Sequence, residues 1–348
     1  MKHLYRILLP TALLLGLLLA PAAALAAARD AAALWWARVF PALTPYLLVC
    51  GLLEGGWRGR RGAPGRWGLV PIFLFGAVGG YPAGAKLLGG LALPAEDARR
   101  MAIFCNLCSP GFLLSIIALG SYGDKRIALP LFLSGFIPAL LLFVVYLLCN
   151  PPLPAPAQST APKSGARLWT DAITGAMRSQ LVICGCLVSC AVIAALLCAT
   201  GLPALLARLF HADARLMEML FSGLLEGTRG VTLASQTTLP LRIQITLCAF
   251  FMHFGGLSVA AQSLCFLELD APAKYIFHKF LFGLCAAILC YLLTPLFLPE
   301  SIRAAMANAN YAQNAVATGG ILFVCLGSLL VAGVLGRVMG VGEGVVKS

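Results

Sequence analysis

Apolar residues fill this chain in runs long enough to cross a bilayer, near 4–27, 41–55, 101–121, 127–149, 176–200, 214–235, 274–298 and 319–340. A spanning helix needs roughly 20 predominantly apolar residues, so the pattern predicts about eight of them. Two further apolar runs, 69–93 and 241–267, are interrupted at their centres by glycines; the first reads GAVGGYPAGAK across residues 76–86. An unpaired backbone N–H or C=O costs several kcal/mol in hydrocarbon, so a chain that opens at depth needs protein or a watery cavity around it. These two runs are therefore expected to be Gly-broken or re-entrant hairpin elements. The predicted fold class is an all-α polytopic membrane protein, with about eight spanning helices plus the two broken elements.

The halves look related. LLEG recurs at 52–55 and 224–227, ARVF at 37–40 is echoed by ARLF at 207–210, and GGYPAGAKLL (79–88) aligns without gaps to GGLSVAAQSL (255–264). Three matches in the same order predict two structural repeats, 30–150 and 169–340, joined by a Pro-rich linker at 151–168. A first helix within 1–29 precedes them and a short tail, 341–348, follows. The first segment also has the basic start and Ala-rich end of a signal peptide, but its apolar stretch is long for one; an uncleaved helix is the favoured reading. Internal repeats with interrupted segments in corresponding places are the sequence signature of secondary transporters, with a site near the midplane.

Composition agrees with the pattern. The chain is 60% hydrophobic and 11% charged, with mean hydropathy +0.92, where soluble domains are about 25% charged. The net charge of +12 would point to nucleic acid in a soluble protein. Here the bases lie in short connections such as RGRRGAPGR (58–66), as expected for retention on the cytoplasmic side, and no nucleic-acid partner is expected. Charge placement favours re-entrant hairpins, which would make the two LLEG helices parallel; full crossings would make the repeats inverted. Single-cysteine labelling near Gly62 and Ser164 tests this. With hairpins both positions react from the cytosolic side, whereas labelling of residue 164 from outside with residue 62 protected means that the first broken element crosses fully.

The 13 cysteines lie almost wholly in apolar runs and read as small packing residues. Cys105 and Cys108 form a CxxC, but no second pair or nearby histidine completes a four-ligand metal site, so neither metal nor cofactor is expected. Gly-rich stretches lack both a phosphate-loop ending and a G-x-S-x-G elbow, and no enzymatic activity is expected. The expected partners are the lipid bilayer and a small solute, and a homo-oligomer is compatible with the sequence.

Candidate substrate-binding residues follow from the interruptions. Gly79, Gly80 and Tyr81 form the first break, where Pro82 biases Tyr81 away from helical geometry. Lys86 falls in the first turn of the following half-helix, where free N–H groups attract anions; the competing reading is a lysine reaching to an interface. In FCNLCSPG (104–111), Pro110 removes a backbone donor and frees carbonyls near Asn106, so Asn106 and Ser109 are candidate solute ligands. Gly255, Gly256, Ser258 and Gln262 form the matching set, with Gln262 aligned to Lys86. Tip 79–84 is expected to be non-helical, buried, and to face the unwound region 106–111, with 255–260 contributing from the other repeat.

Glu54 and Glu226 hold the same place in the two LLEG motifs and are candidates for ion or proton coupling, since ionisable residues within spans are costly. Neutralisation by Arg58 and Arg229 is the alternative. His253 is a third coupling candidate, although a lone histidine is more often a satisfied packing residue. His278 and Lys279 are expected at the cytosolic interface.

At GGYPAGAKLL, FCNLCSPG and HFGGLSVAAQ (253–262) the chain resembles the YlbJ-type sporulation integral membrane proteins. These carry the nucleoside-recognition or Gate domain, distantly similar to concentrative nucleoside transporters and to the membrane gates of ferrous iron transporters. The resemblance runs from about residue 30 to the C-terminal helix, making each expected repeat Gate-like. It implies a multi-pass protein of the bacterial cell membrane, in the mother cell during endospore formation. The function expected from residues and resemblance together is a transporter or channel-like gate for an unidentified small solute. The alternatives are a non-transporting scaffold for spore envelope assembly and a lipid translocator. The polar signatures by which nucleoside transporters hold sugar and sodium are not recognisable here.

Overall fold

A computed structural model describes residues 4–57, 66–91, 93–149, 165–269 and 271–298. The expected span at 319–340, the tail at 341–348, most of the RGRRGAPGR connection and most of the Pro-rich linker, including positions 62 and 164, lie outside the described residues.

Every regular element among the described residues is helical. The chain begins with α1 (Leu4–Leu19) and α2 (Pro21–Leu34), which runs through a π turn at Trp35–Val39 into α3 (Phe40–Trp57). Next come α4 (Val70–Gly79), α5 (Ala83–Gly89), α6 (Ala95–Cys105) and the short α7 (Pro110–Phe112), which continues as a π turn through Leu119. After α8 (Ala128–Cys149) the second half contains α9 (Gly165–Ala199), α10 (Leu202–Leu209), α11 (Ala214–Leu225), α12 (Gly227–Ser235), α13 (Leu241–Phe254), α14 (Gly256–Phe266) and α15 (Pro272–Phe297). Six described stretches are long and apolar enough to cross a membrane: Pro21–Gly55, Ala95–Leu119, Lys125–Cys149, Gly165–Ala199, Leu241–Phe266 and Pro272–Phe297. The protein is a polytopic α-helical membrane protein. Leu141 and Leu148 on α8, Leu181 on α9 and Leu296 on α15 are exposed, as side chains that contact lipid are.

Element boundaries differ from the sequence expectation in three places. The first apolar run ends at Leu19, because Pro21 starts a new helix, a position where its missing N–H costs nothing. The Ala-rich stretch after it, of high helix propensity, joins the next run into one 35-residue helix, Pro21–Gly55. Run 214–235, expected as a continuous span, is cut at Glu226, whose extended backbone ends α11 and whose side chain caps α12. Run 101–121 starts earlier, at Ala95, although it opens where expected, at Asn106–Ser109.

Two kinds of interruption result. Helices α4 and α5 fold back on each other, as do α11 and α12; small residues allow both turns. A Cβ on Gly76 would sit 3.3 Å from the Gly84 Cα, and one on Gly230 would sit 2.5 Å from the Gly223 Cα. By contrast α13 and α14 make one apolar stretch interrupted at Gly255, whose φ is +84°. The stretches 79–88 and 255–264, which align in sequence, therefore lie in elements of different kinds: a helical hairpin and a broken helix. The same holds for Glu54, inside continuous α3, and Glu226, at a hairpin turn.

Two buried apolar clusters hold the assembly together. One joins α3 and the π turn after α7 to α13 and α15 through Leu47, Leu113, Ile117, Ile245, Phe251 and Ala287; the other packs α4, α5, α6 and α8 through Phe73, Phe104, Phe143 and Leu87. Long helices α3 and α9 touch where a Cβ on Gly51 would lie 2.8 Å from the Ala172 backbone. At their crossing the buried Gln180 amide donates to the Phe40 carbonyl (3.1 Å) and to Thr44 Oγ1 (3.0 Å), and its oxygen accepts from Trp35 Nε1 (3.2 Å).

Candidate functional site

All four interruptions converge. The turn between α4 and α5 lies on the opening between α6 and α7: the Tyr81 N–H donates to the Leu107 carbonyl (2.7 Å), and a Cβ on Gly80, at φ +77°, would come within 2.7 Å of Ser109 Cβ and 2.9 Å of its nitrogen. The other hairpin meets the other broken helix in a similar way. A Cβ on Gly256, at φ +69°, would lie 3.1 Å from both the Gly227 nitrogen and the Leu225 carbonyl oxygen. In each case a glycine in the left-handed region, which L side chains adopt only at a cost, lets one broken backbone approach another.

Between these two contacts lies a recess with about 490 Å³ of empty space, counting its open mouth. Its polar lining comes from every break: Gly80 and Tyr81, Cys108 and Ser109, Glu226 with Thr228, and Gly255 with Ser258 and Gln262. Apolar side chains complete the lining, from Leu43 on α3, Phe112 on α7 and Ile183 and Leu187 on α9. Small-molecule sites combine an apolar surface with a few convergent polar groups in this way.

Glu226 is the carboxylate among the described residues that line the recess. Its buried carboxylate accepts from the Thr228 N–H (3.0 Å), the Arg229 N–H (2.7 Å) and the Thr228 hydroxyl. A carboxylate at a helix start satisfies donors that have no partner within the helix and lies in the favourable field of the helix dipole. The expected neutralisation by Arg229 is not what holds it: that guanidinium reaches toward Glu218, at 3.9 Å, on α11. Ser109 Oγ accepts from the Phe112 N–H (3.2 Å) and so caps α7, while Gln262 donates to Ser258 Oγ at 3.4 Å. Tyr81 directs its hydroxyl to the Met252 sulfur (3.7 Å).

Of the sequence candidates, Gly80, Tyr81, Ser109, Glu226, Gly255, Ser258 and Gln262 line the recess, and Gly79 and Gly256 flank it as neighbours in the chain. Tip 79–84 does lie on the opening at 106–111, and 255–260 lines the same recess, but the tip is non-helical only over Gly80–Pro82, because α4 runs to Gly79 and α5 starts at Ala83.

Lys86 lies elsewhere: it is buried, with its ammonium 3.3 Å from the Gly175 carbonyl of α9, and not on the recess. Glu54 is on α3 beside Gly90, where a Cβ would stand 3.2 Å from the Glu54 Cγ. His253 points away, into α8, with Nε2 2.9 Å from the Leu131 carbonyl and its ring filling the space that Gly135 leaves. Asn106 sits behind the recess, donating to Ser263 Oγ (2.7 Å) and Tyr275 Oη (3.4 Å).

The expectation that His278 and Lys279 face the cytosolic interface is overturned, because both are 2% exposed. Lys279 donates to carbonyls of the first broken helix, an acceptor set that the pattern of apolar residues does not reveal. Thr228, Ser263 and Tyr275 were likewise unmarked in the sequence, since a lone hydroxyl in an apolar run carries no signal until its partner is known.

No family model matches the chain, and no solved structure matches it. Over 318 residues it is 27% identical to the sporulation integral membrane protein YlbJ of Bacillus subtilis (strain 168), with 78% of this chain and 78% of that protein covered. Likeness over most of both chains, in an all-helical body with membrane-spanning helices, supports a YlbJ-type assignment for this integral membrane protein.

Proposed function

We propose that the protein is a transporter or channel-like gate for a small solute, acting without enzymatic chemistry in the membrane of a spore-forming bacterium. The observation that carries this reading is the convergence of four interrupted helical elements on one recess. Backbone that opens in the apolar zone is tolerated where it lines a cavity, and secondary transporters place their sites where broken segments meet. The two hairpins act as re-entrant elements whose tips close on the broken helices. Each half contributes a 35-residue helix (Pro21–Gly55 and Gly165–Ala199), a helical hairpin, a broken helix and an unbroken one. Two repeats in that register, rather than the one drawn from LLEG, pair hairpin with hairpin and broken helix with broken helix around the recess. A place in spore formation rests on the name of the similar Bacillus subtilis protein.

Protein purified and reconstituted in liposomes is expected to release or take up a member of a screened panel of small solutes. Ser258→Ala, which removes one hydroxyl from the recess, should lower that flux about tenfold if the solute takes a hydrogen bond there, with only the small fall in unfolding temperature that loss of the long Gln262 hydrogen bond brings. Flux unaffected by substitutions at Ser109, Ser258 and Gln262 together would sink the mechanism. A scaffold instead predicts that heat-resistant spores depend on the linker at 151–168 and are indifferent to the recess, and rescue of a deletion strain with both variant sets separates the two.

A further inference from the structure

Lys279 is a buried lysine with no carboxylate partner among the described residues. Its ammonium, carried inward by α15, donates to the Asn106 carbonyl at 2.9 Å and lies 3.4 Å from the Ile103 carbonyl, both at the end of α6 where the helix opens. It also stands 5.0 Å from the centre of the Phe282 ring. Beside it, the side-chain oxygen of the fully buried Asn106 has no hydrogen-bond partner among the described residues, because its amide nitrogen is the atom that meets Ser263 and Tyr275. A helix end carries partial negative charge on carbonyls that its own ladder leaves free. In discontinuous membrane helices such carbonyls coordinate monovalent cations.

We propose that the Lys279 ammonium is a tethered cation, filling from within the chain a carbonyl-lined position at the end of α6 that otherwise takes a free monovalent cation. The acceptors fit that ligand: two backbone oxygens, both neutral, with no carboxylate among the described residues to draw a divalent ion; the Asn106 amide oxygen belongs to the same residue but does not itself bond the ammonium. A buried ammonium without an anion is costly in a membrane interior, and helix-end carbonyls are what offset the cost here. The consequence is a chain whose broken helix is held in place without sodium, with the α6 end tied directly to α15. This does not depend on whether a solute crosses at the recess.

Thermal unfolding of the full-length protein in detergent tests the proposal, comparing sodium chloride, ammonium chloride and choline chloride at equal ionic strength. The wild type should unfold at the same temperature in all three. Lys279→Ala should unfold at least about 5 °C lower in choline chloride, and sodium or ammonium should restore it saturably, since choline is too large for the vacated position. Lys279→Met, which keeps the apolar stem, should show the same cation dependence. A wild type stabilised saturably by sodium, variants whose unfolding ignores the cation, or variants that fold in none of the salts would each overturn it.

Discussion

Gly84→Val is expected to prevent accumulation of folded protein. Gly84 lies in the second turn-side helix of the first hairpin, and a Cβ there would fall 2.0 Å from the Cys105 carbonyl oxygen and 2.7 Å from its carbon. The same oxygen is approached by Gly76, whose Cβ would also lie 2.0 Å away. Helices α4 and α5 thus close on one backbone carbonyl at the end of α6, with no flexible side chain between them that could give way. A β-branched residue must push the hairpin off α6, opening the buried cluster of Phe73, Phe104 and Leu87 and separating the Tyr81 N–H from the Leu107 carbonyl. Overpacking against backbone costs more than about 3 kcal/mol, a large share of the stability of any single domain. Size-exclusion of detergent-solubilised protein reads the outcome. Gly185→Ala on α9, where nothing lies within 4 Å of a Cβ, is the matched control and should behave as wild type or slightly better, as alanine is the stronger helix former. Wild-type yield and profile for Gly84→Val would disprove the close approach.

Glu226→Ala is expected to damage both stability and flux. Alanine leaves the Thr228 and Arg229 N–H groups, together with the Thr228 hydroxyl, without the acceptor they now share. Loss of a buried, charged helix cap costs about 2 kcal/mol. The start of α12 should then fray, and with it the contact between Gly256 and the Gly227 backbone that shapes one wall of the recess. Glu226→Gln retains an oxygen acceptor but loses the charge at the helix start, and should cost about 1 kcal/mol. The unfolding temperatures are therefore expected in the order wild type, Gln, Ala. If Glu226 serves the solute as well as the helix, the Gln variant loses flux out of proportion to its small loss of stability. An Ala variant as stable as wild type would show that the cap does not hold the hairpin.

The membrane class and the position of the first break were legible in the chain because both are local. Long apolar runs have few other uses, and GGYPAG combines residues that end helices on steric grounds whatever surrounds them. The opening at Asn106–Ser109 was legible for the same reason, through Pro110. The break at Glu226 was not, since nothing in GLLEGTRG forbids a helix; the interruption there exists because the carboxylate finds N–H groups to cap while Gly223, Gly230 and Gly256 allow three backbone segments to touch. Fold-back of α11 on α12 then depends on what packs against it, chiefly Phe251, whose ring would meet a Cβ at Gly223 at 2.3 Å.

Charged residues divide along the same line. The sequence by itself marked Lys86, Glu54, Glu226 and His253 as ionisable groups in apolar surroundings, where desolvation makes any such group conspicuous, but set Lys279 at the interface. Which of them faces a cavity is a matter of helix rotation and neighbours many residues away, information that a period of apolar positions does not carry. Tertiary structure alone decided that Glu226 lines the recess, that Lys86 reaches Gly175, that His253 packs against Gly135, and that Lys279 meets the open end of α6. Apolar runs determine that a helix enters the membrane, because transfer free energy sums along the segment; the partners of its few polar groups are determined by packing between segments, because hydrogen bonds act only over a few ångströms.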